Sequence, residues 1–183
     1  MKFTYPHIIE NGGGERLIFK RLIKDAQVEW LEIENYVEPN TGPPMHVHHK
    51  QDEHLTVVKG RMGTQVLGEE PVFYGPGEEA TFKAGVAHKF WNASSVPLIC
   101  TGWVKPAHNL EYFLTEIYAS MKNNGGKQPD AFDGAWLLDR YRSEFDMLDI
   151  PPLVKKIIFP FALFIGKIQG KHKKFEGSPD PVE

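Results

Sequence analysis

The chain has 183 residues, 41% hydrophobic and 25% charged, a composition that excludes a wholly disordered protein and allows a genuine core. Its net charge of −3, from 21 basic and 24 acidic residues, provides no global field for a nucleic-acid partner. Cys100 is the single cysteine, which excludes an intramolecular disulfide framework and a cysteine-rich zinc site.

The opening Met1-Lys2-Phe3-Thr4-Tyr5-Pro6-His7 lacks the long apolar run of a secretory signal, so a cytoplasmic location is the expectation. Short β-type runs follow at 16–23, 28–37, 45–49, 55–58, 61–67, 72–74, 80–82, 88–92 and 97–104. Gly- and Pro-rich segments punctuate them, as at Asn40-Thr41-Gly42-Pro43-Pro44 and Gly75-Pro76-Gly77. No helix-length period intervenes to build parallel crossovers, so residues 1–108 are expected to form a mainly β sandwich or barrel of antiparallel sheet.

From residue 109 the pattern changes to helical periods. Asn109 is a plausible N-cap, and Leu110, Phe113, Leu114, Ile117 and Met121 share one helical face. A second helix is expected over 132–145 and a third over 151–168, with Pro160 kinking or splitting it. The last dozen residues read as a frayed tail. Residues 109–183 therefore form a C-terminal α-helical extension, packed on the barrel or at a dimer contact, and a homodimer is expected. The apolar run at 157–165 lies in a helix of about 24 Å, too short to span a bilayer. Residues 151–183 nevertheless carry six lysines against three acidic groups, so a membrane-surface contact through 153–174 is the alternative use of this segment.

Four of the eight histidines lie between His46 and His54. In a strand, His46 and His48 project to one face while Val47 points away. A turn over 49–52 would return the chain as a neighbouring strand carrying Glu53 beside them. His88 stands past a turn at the head of a later strand. Three neutral imidazoles and one carboxylate suit a first-row divalent metal and leave coordination positions open.

At these residues the sequence resembles the cupins. The first cupin motif, G-x5-H-x-H-x3,4-E-x6-G, is met by His46, His48, Glu53 and Gly60, and the second, G-x5-P-x-G-x2-H-x3-N, by Gly77, Gly85, His88 and Asn92. Asn40 replaces the first glycine and Lys83 the proline. Neither is a ligand position, and Asn tolerates a left-handed turn. The resemblance covers about residues 30–104.

The resemblance implies a double-stranded β-helix, a jelly-roll cupin barrel, holding one divalent transition metal (Fe, Mn, Ni, Co, Cu or Zn) on His46, His48, Glu53 and His88. It also implies a small-molecule substrate or ligand, and a metal-dependent oxidoreductase of dioxygenase type, similar to the quercetin-dioxygenase-like cupins. Glu53 would serve as the catalytic base. A metal-dependent isomerase or lyase and a non-catalytic binding or sensing protein are the alternatives. Phe90 and Asn92 share the parity of His88 and are expected to line the substrate pocket, with Trp30 a further candidate. His49 and His54 fall outside the ligand parity and are expected to face solvent or support the ligands, while His7, His108 and His172 read as incidental. Cys100 reads as a buried hydrophobe. Neither a phosphate loop nor a nucleophile elbow is present in the sequence.

Overall fold

A computed structural model describes residues 2–183. Eleven strands form among them: β1 (His7–Glu10), β2 (Glu15–Lys24), β3 (Glu29–Val37), β4 (His46–His48), β5 (Asp52–Lys59), β6 (Met62–Val66), β7 (Val72–Tyr74), β8 (Glu79–Phe82), β9 (His88–Asn92), β10 (Leu98–Lys105) and β11 (Phe145–Met147). The helices are α1 (Leu110–Asn123), α2 (Ala131–Arg140) and α3 (Phe159–Ile168).

The strands make two antiparallel sheets. One has the order β1-β2-β3-β10-β5-β8 and the other β11-β4-β9-β6-β7. The period-2 alternation of the sequence becomes an inside and an outside: Leu31, Ile33 and Val37 of β3 are buried, as are Leu55 and Val57 of β5. Asn40, where a glycine was expected, takes φ 60°, the left-handed turn that Asn tolerates. Gly42 is required for a different reason, because a Cβ there would lie 2.2 Å from the Phe90 carbonyl oxygen.

The fold departs from the sequence expectations in several places. β4 and β5 are not hydrogen-bonded neighbours. Both edges of β4 are taken, by β9 (His46 opposite His88) and by β11, while β5 pairs with β10 and β8. The turn between them therefore passes from one sheet to the other. β11 falls where a helix was expected to continue to residue 145. Helix α2 ends at Arg140, and Phe145 opens a strand opposite His48.

Asn109 stands at the start of α1, but its side chain does not cap the helix. Its amide instead donates to Glu144 Oε1 at 2.7 Å and to the Asp180 carbonyl at 2.9 Å. The end of the chain is not frayed. Arg140 donates to the Pro179 carbonyl and the Asp180 carboxylate, Tyr141 to the Pro179 carbonyl, and Ser143 to the Val182 carbonyl. Buried Glu144 completes the join by accepting from the Val182 N–H. His7 is also engaged: it meets Glu111 Oε1 at 2.8 Å and stacks on Phe3 and Phe19, tying β1 to α1.

The third helical segment is not split at Pro160. It stays helical from 152 to 168, with Val154–Ile158 wound as a π-helix that runs directly into α3 just before the proline, a local widening of the kind that accommodates a residue without an N–H. Phe159 and Leu163 of α3 pack against the core, and Gly166 lies so close to Phe132 of α2 that a Cβ would fall 2.0 Å from that ring.

Candidate metal centre

β4 points His46 and His48 inward, β9 brings His88 beside them, and β5 presents Glu53 from the opposite sheet. One ligand atom from each of the four residues lies within 4.8 Å of every other. The Nε2 atoms of His88, His48 and His46 stand 3.0, 3.6 and 4.0 Å from Glu53 Oε2. His88 is the deepest, at 1% exposure of its side chain, and His46 the most open at 13%, so the approach from solvent passes His46.

Backbone carbonyls set the ring orientations. His46 Nδ1 lies 2.8 Å from the Pro44 carbonyl and His88 Nδ1 2.9 Å from that of Val86. An Nδ1–H donated to the Pro44 carbonyl leaves His46 Nε2 as a lone pair, while His88, held by the Val86 carbonyl, turns its Nε2 to Glu53 Oε2 in a 3.0 Å hydrogen bond that a bound cation would replace. Three imidazoles and a carboxylate oxygen thus lie together in one cluster. This donor set fits a divalent transition metal.

Aromatic rings form the walls. Phe82, opposite Glu53 in the β5–β8 register, stacks on His88 with centroids 3.9 Å apart and planes at 5°. Phe145 of β11 meets His48 edge-on at 5.6 Å and stacks on Phe113 of α1 at 4.6 Å. This apolar surround governs protonation. Burial, and then the nearby His88, hold the His46 pKa below its ordinary value, and burial brings that of His48 down to about 3. Burial alone would raise Glu53, but the hydrogen bond with His88 and the adjoining imidazoles outweigh it and keep the carboxyl below the usual range. At neutral pH His46 and His48 are therefore neutral beside an ionised Glu53.

The other expected site residues are placed as follows. Phe90 faces inward and is buried in the core on the same strand face as His88. Asn92 is also inward and buried, but its amide donates to the Val37 and Val96 carbonyls while its oxygen accepts from the Ser94 N–H; it fastens the barrel and offers the pocket no free polar group. Trp30 is not brought to the site. Its neighbour Leu31 takes the inward parity of β3, so Trp30 lies on the outer face beneath Lys105 Nζ, 4.6 Å from its ring. His49 is exposed. His54 sits on the outer face, stacked on Trp103 at 5.2 Å and bonded to Thr81 and Thr56. Cys100 is a buried thiol pushed up to about 12 by burial.

Phe82 and Phe145 were missed as site residues. The alternation of exposed and buried residues along β8 carries a signal for Phe82, since it shares parity with buried Ala80. Phe145 has no local signal, because its partner strand lies about a hundred residues earlier in the chain.

Residues 35–104 match the family model for the cupin domain. Among curated proteins, the chain is 32% identical over 101 residues to "Oxidoreductase iacF" of Pestalotiopsis fici, an alignment covering 50% of this chain and 50% of that protein. It is 26% identical over 133 residues to "Probable oxidoreductase virH" of Hypocrea virens, covering 68% of this chain and 58% of that protein. The chain thus spans little more than half the length of these curated relatives. Among solved structures, KdgF from a Halomonas species aligns at 14% identity and a TM-score of 0.46, covering 52% of this chain and 83% of that one.

Proposed function

Since residues 35–104 of this chain are a cupin domain, we propose that the protein is a metal-dependent oxidoreductase of dioxygenase type acting on a small organic molecule. His46, His48, Glu53 and His88 would hold the metal. The observation that carries this reading is the convergence of three histidine Nε2 atoms on Glu53 Oε2 inside an aromatic-walled barrel. The oxidoreductase names of the two curated relatives support the same class.

When bound, a first-row divalent ion supplies Lewis acidity toward an oxygen-bearing substrate and a redox partner for dioxygen. The remaining work falls to the chain. Glu53, held ionised by its neighbours, can accept the proton of an enol or phenol at a carboxylate oxygen. The carbonyls of Pro44 and Val86 fix His46 and His88 so that their Nε2 atoms face Glu53. Phe82, Phe90 and Phe145 exclude water and favour a planar or apolar substrate. The open side at His46 admits it.

Protein loaded separately with Fe(II), Mn(II), Ni(II) or Cu(II) and offered flavonols, diketones and catechols should consume dioxygen with at least one combination. Failure of the whole panel would defeat the proposal. A ligand-sensing role is the second reading. It is favoured by β11, which ties the helical segment to the strand bearing His46 and His48. His88→Ala separates the two: an enzyme loses turnover while remaining folded, whereas a sensor retains ligand binding.

A further inference from the structure

α3 is packed on one side only. Phe159, Leu163 and Gly166 face the core and α2, while Leu153, Ile157, Ile158, Phe161, Phe164 and Ile168 are exposed, Phe161 at 66% and Ile168 at 69%. Phe161, Phe164 and Ile168 recur at helical spacing, so they form a single face. A contiguous apolar surface of this kind is more than a soluble monomer ordinarily leaves in water. The platform beneath it is firm. Close approach of Gly166 to Phe132 seats the helix, Lys155 pairs with Asp146 of β11 at 2.6 Å, and Lys174 pairs with Asp133 of α2.

Three of the lysines around this face pair with Asp146, Asp130 and Asp133, and the unpaired charge that remains on the segment is positive. Between Pro151 and Phe175 there are six lysines and no acidic residue. Lys156, Lys167 and Lys173 are exposed, and none has an acidic partner within 4 Å among the described residues. A second copy docked through the same face would set Lys156, Lys167 and Lys173 against their own counterparts, and the nearby carboxylates Asp146, Asp130 and Asp133 are already engaged by Lys155, Lys171 and Lys174. A surface that is apolar just below and anionic at its boundary complements both features, with the lysine stems lying along the apolar layer and their ammonium groups reaching the headgroups.

We propose that the exposed face of α3 is a docking surface for anionic lipid bilayers, on which the helix lies in the interfacial plane. No helix among the described residues is long and apolar enough to cross a membrane, so the contact is peripheral. It is independent of the chemistry inside the barrel.

The test is flotation of the full chain with vesicles of phosphatidylcholine alone and with vesicles carrying about 30% phosphatidylserine. The chain should float with the anionic vesicles, stay behind with the neutral ones, and release as salt rises from about 0.1 to about 0.5 M. Phe161→Glu with Phe164→Glu should lower binding at least ~10-fold without changing the melting temperature, both side chains being exposed. Lys156→Gln and Lys167→Gln should each lower it roughly fivefold. Absence of wild-type binding to anionic vesicles, or equal binding by the Phe161/Phe164 variant, would overturn the proposal. So would a dimer in analytical ultracentrifugation that this variant dissociates while neither protein floats, an outcome that assigns the face to a second copy.

Discussion

The interior of the barrel and the outer face of α3 are built from the same kinds of side chain, yet their fates are opposite. Leu55, Val57 and Met62 are buried between two sheets, whereas Phe161, Phe164 and Ile168 stand in solvent. The difference comes from what lies opposite. The inward faces of β5, β6 and β10 meet across the barrel, where Cys100 lies 3.9 Å from Met62, and so their apolar parity finds a partner. α3 has α2 on one side and, among the described residues, nothing on the other. Apolar composition therefore reports burial only where the topology supplies a second layer. The same contrast holds for titratable groups: inside the barrel burial suppresses the charge of His46 and His48, while the lysines around α3 stand on the surface.

The contrast is broken most strongly by acid. His48 has a folded-state pKa of about 3, against about 6.5 in an unfolded chain. Between those values the unfolded chain binds a proton that the folded one refuses, so its contribution is fully present above pH 6.5 and is lost as pH falls toward 3. Glu53, held low, acts in the same direction below its ordinary value. Chelator-treated protein should lose on the order of a few kcal/mol between pH 7 and pH 4. Thermal melts across that interval check it, and a flat melting temperature would contradict it.

Next in size, Leu55→Ala should cost about 3 kcal/mol in urea unfolding, because a fully buried side chain leaves a cavity between the sheets. Gly166→Leu should cost roughly 1–3 kcal/mol, because its Cβ would fall on Phe132. Its effect should be local: amide exchange rises over α3 while β5 and β10 keep their protection. The smallest effect is expected from Phe161→Ser, within about 0.5 kcal/mol. A loss comparable to that of Leu55→Ala would mean the α3 face is covered in the folded monomer.

How much of this could be read from the chain follows the same division. His46, His48, Glu53 and His88 were legible because period-2 alternation and fixed motif spacing place them without long-range information. The placing of Glu53 on the opposite sheet was not legible, since it depends on both edges of β4 being occupied, one of them by β11. Three residues, Phe145 to Met147, form too short a strand to announce itself inside a helical stretch. Trp30 misled because a bulky aromatic near the motif suggests a pocket wall, whereas the parity of β3 turns it outward under Lys105. The docking of the C-terminal residues rests on Arg140, Tyr141 and Glu144 meeting backbone groups nearly forty positions away, a relation that composition does not carry.

Elemental analysis of untagged protein purified without chelators tests the central claim most directly. The wild type is expected to carry about one divalent transition-metal ion per chain, and His46→Ala with His88→Ala to carry almost none while its far-ultraviolet circular dichroism is unchanged. A wild type devoid of metal that takes up none from an equimolar solution of these ions, or a double variant that retains the full complement, would contradict the account.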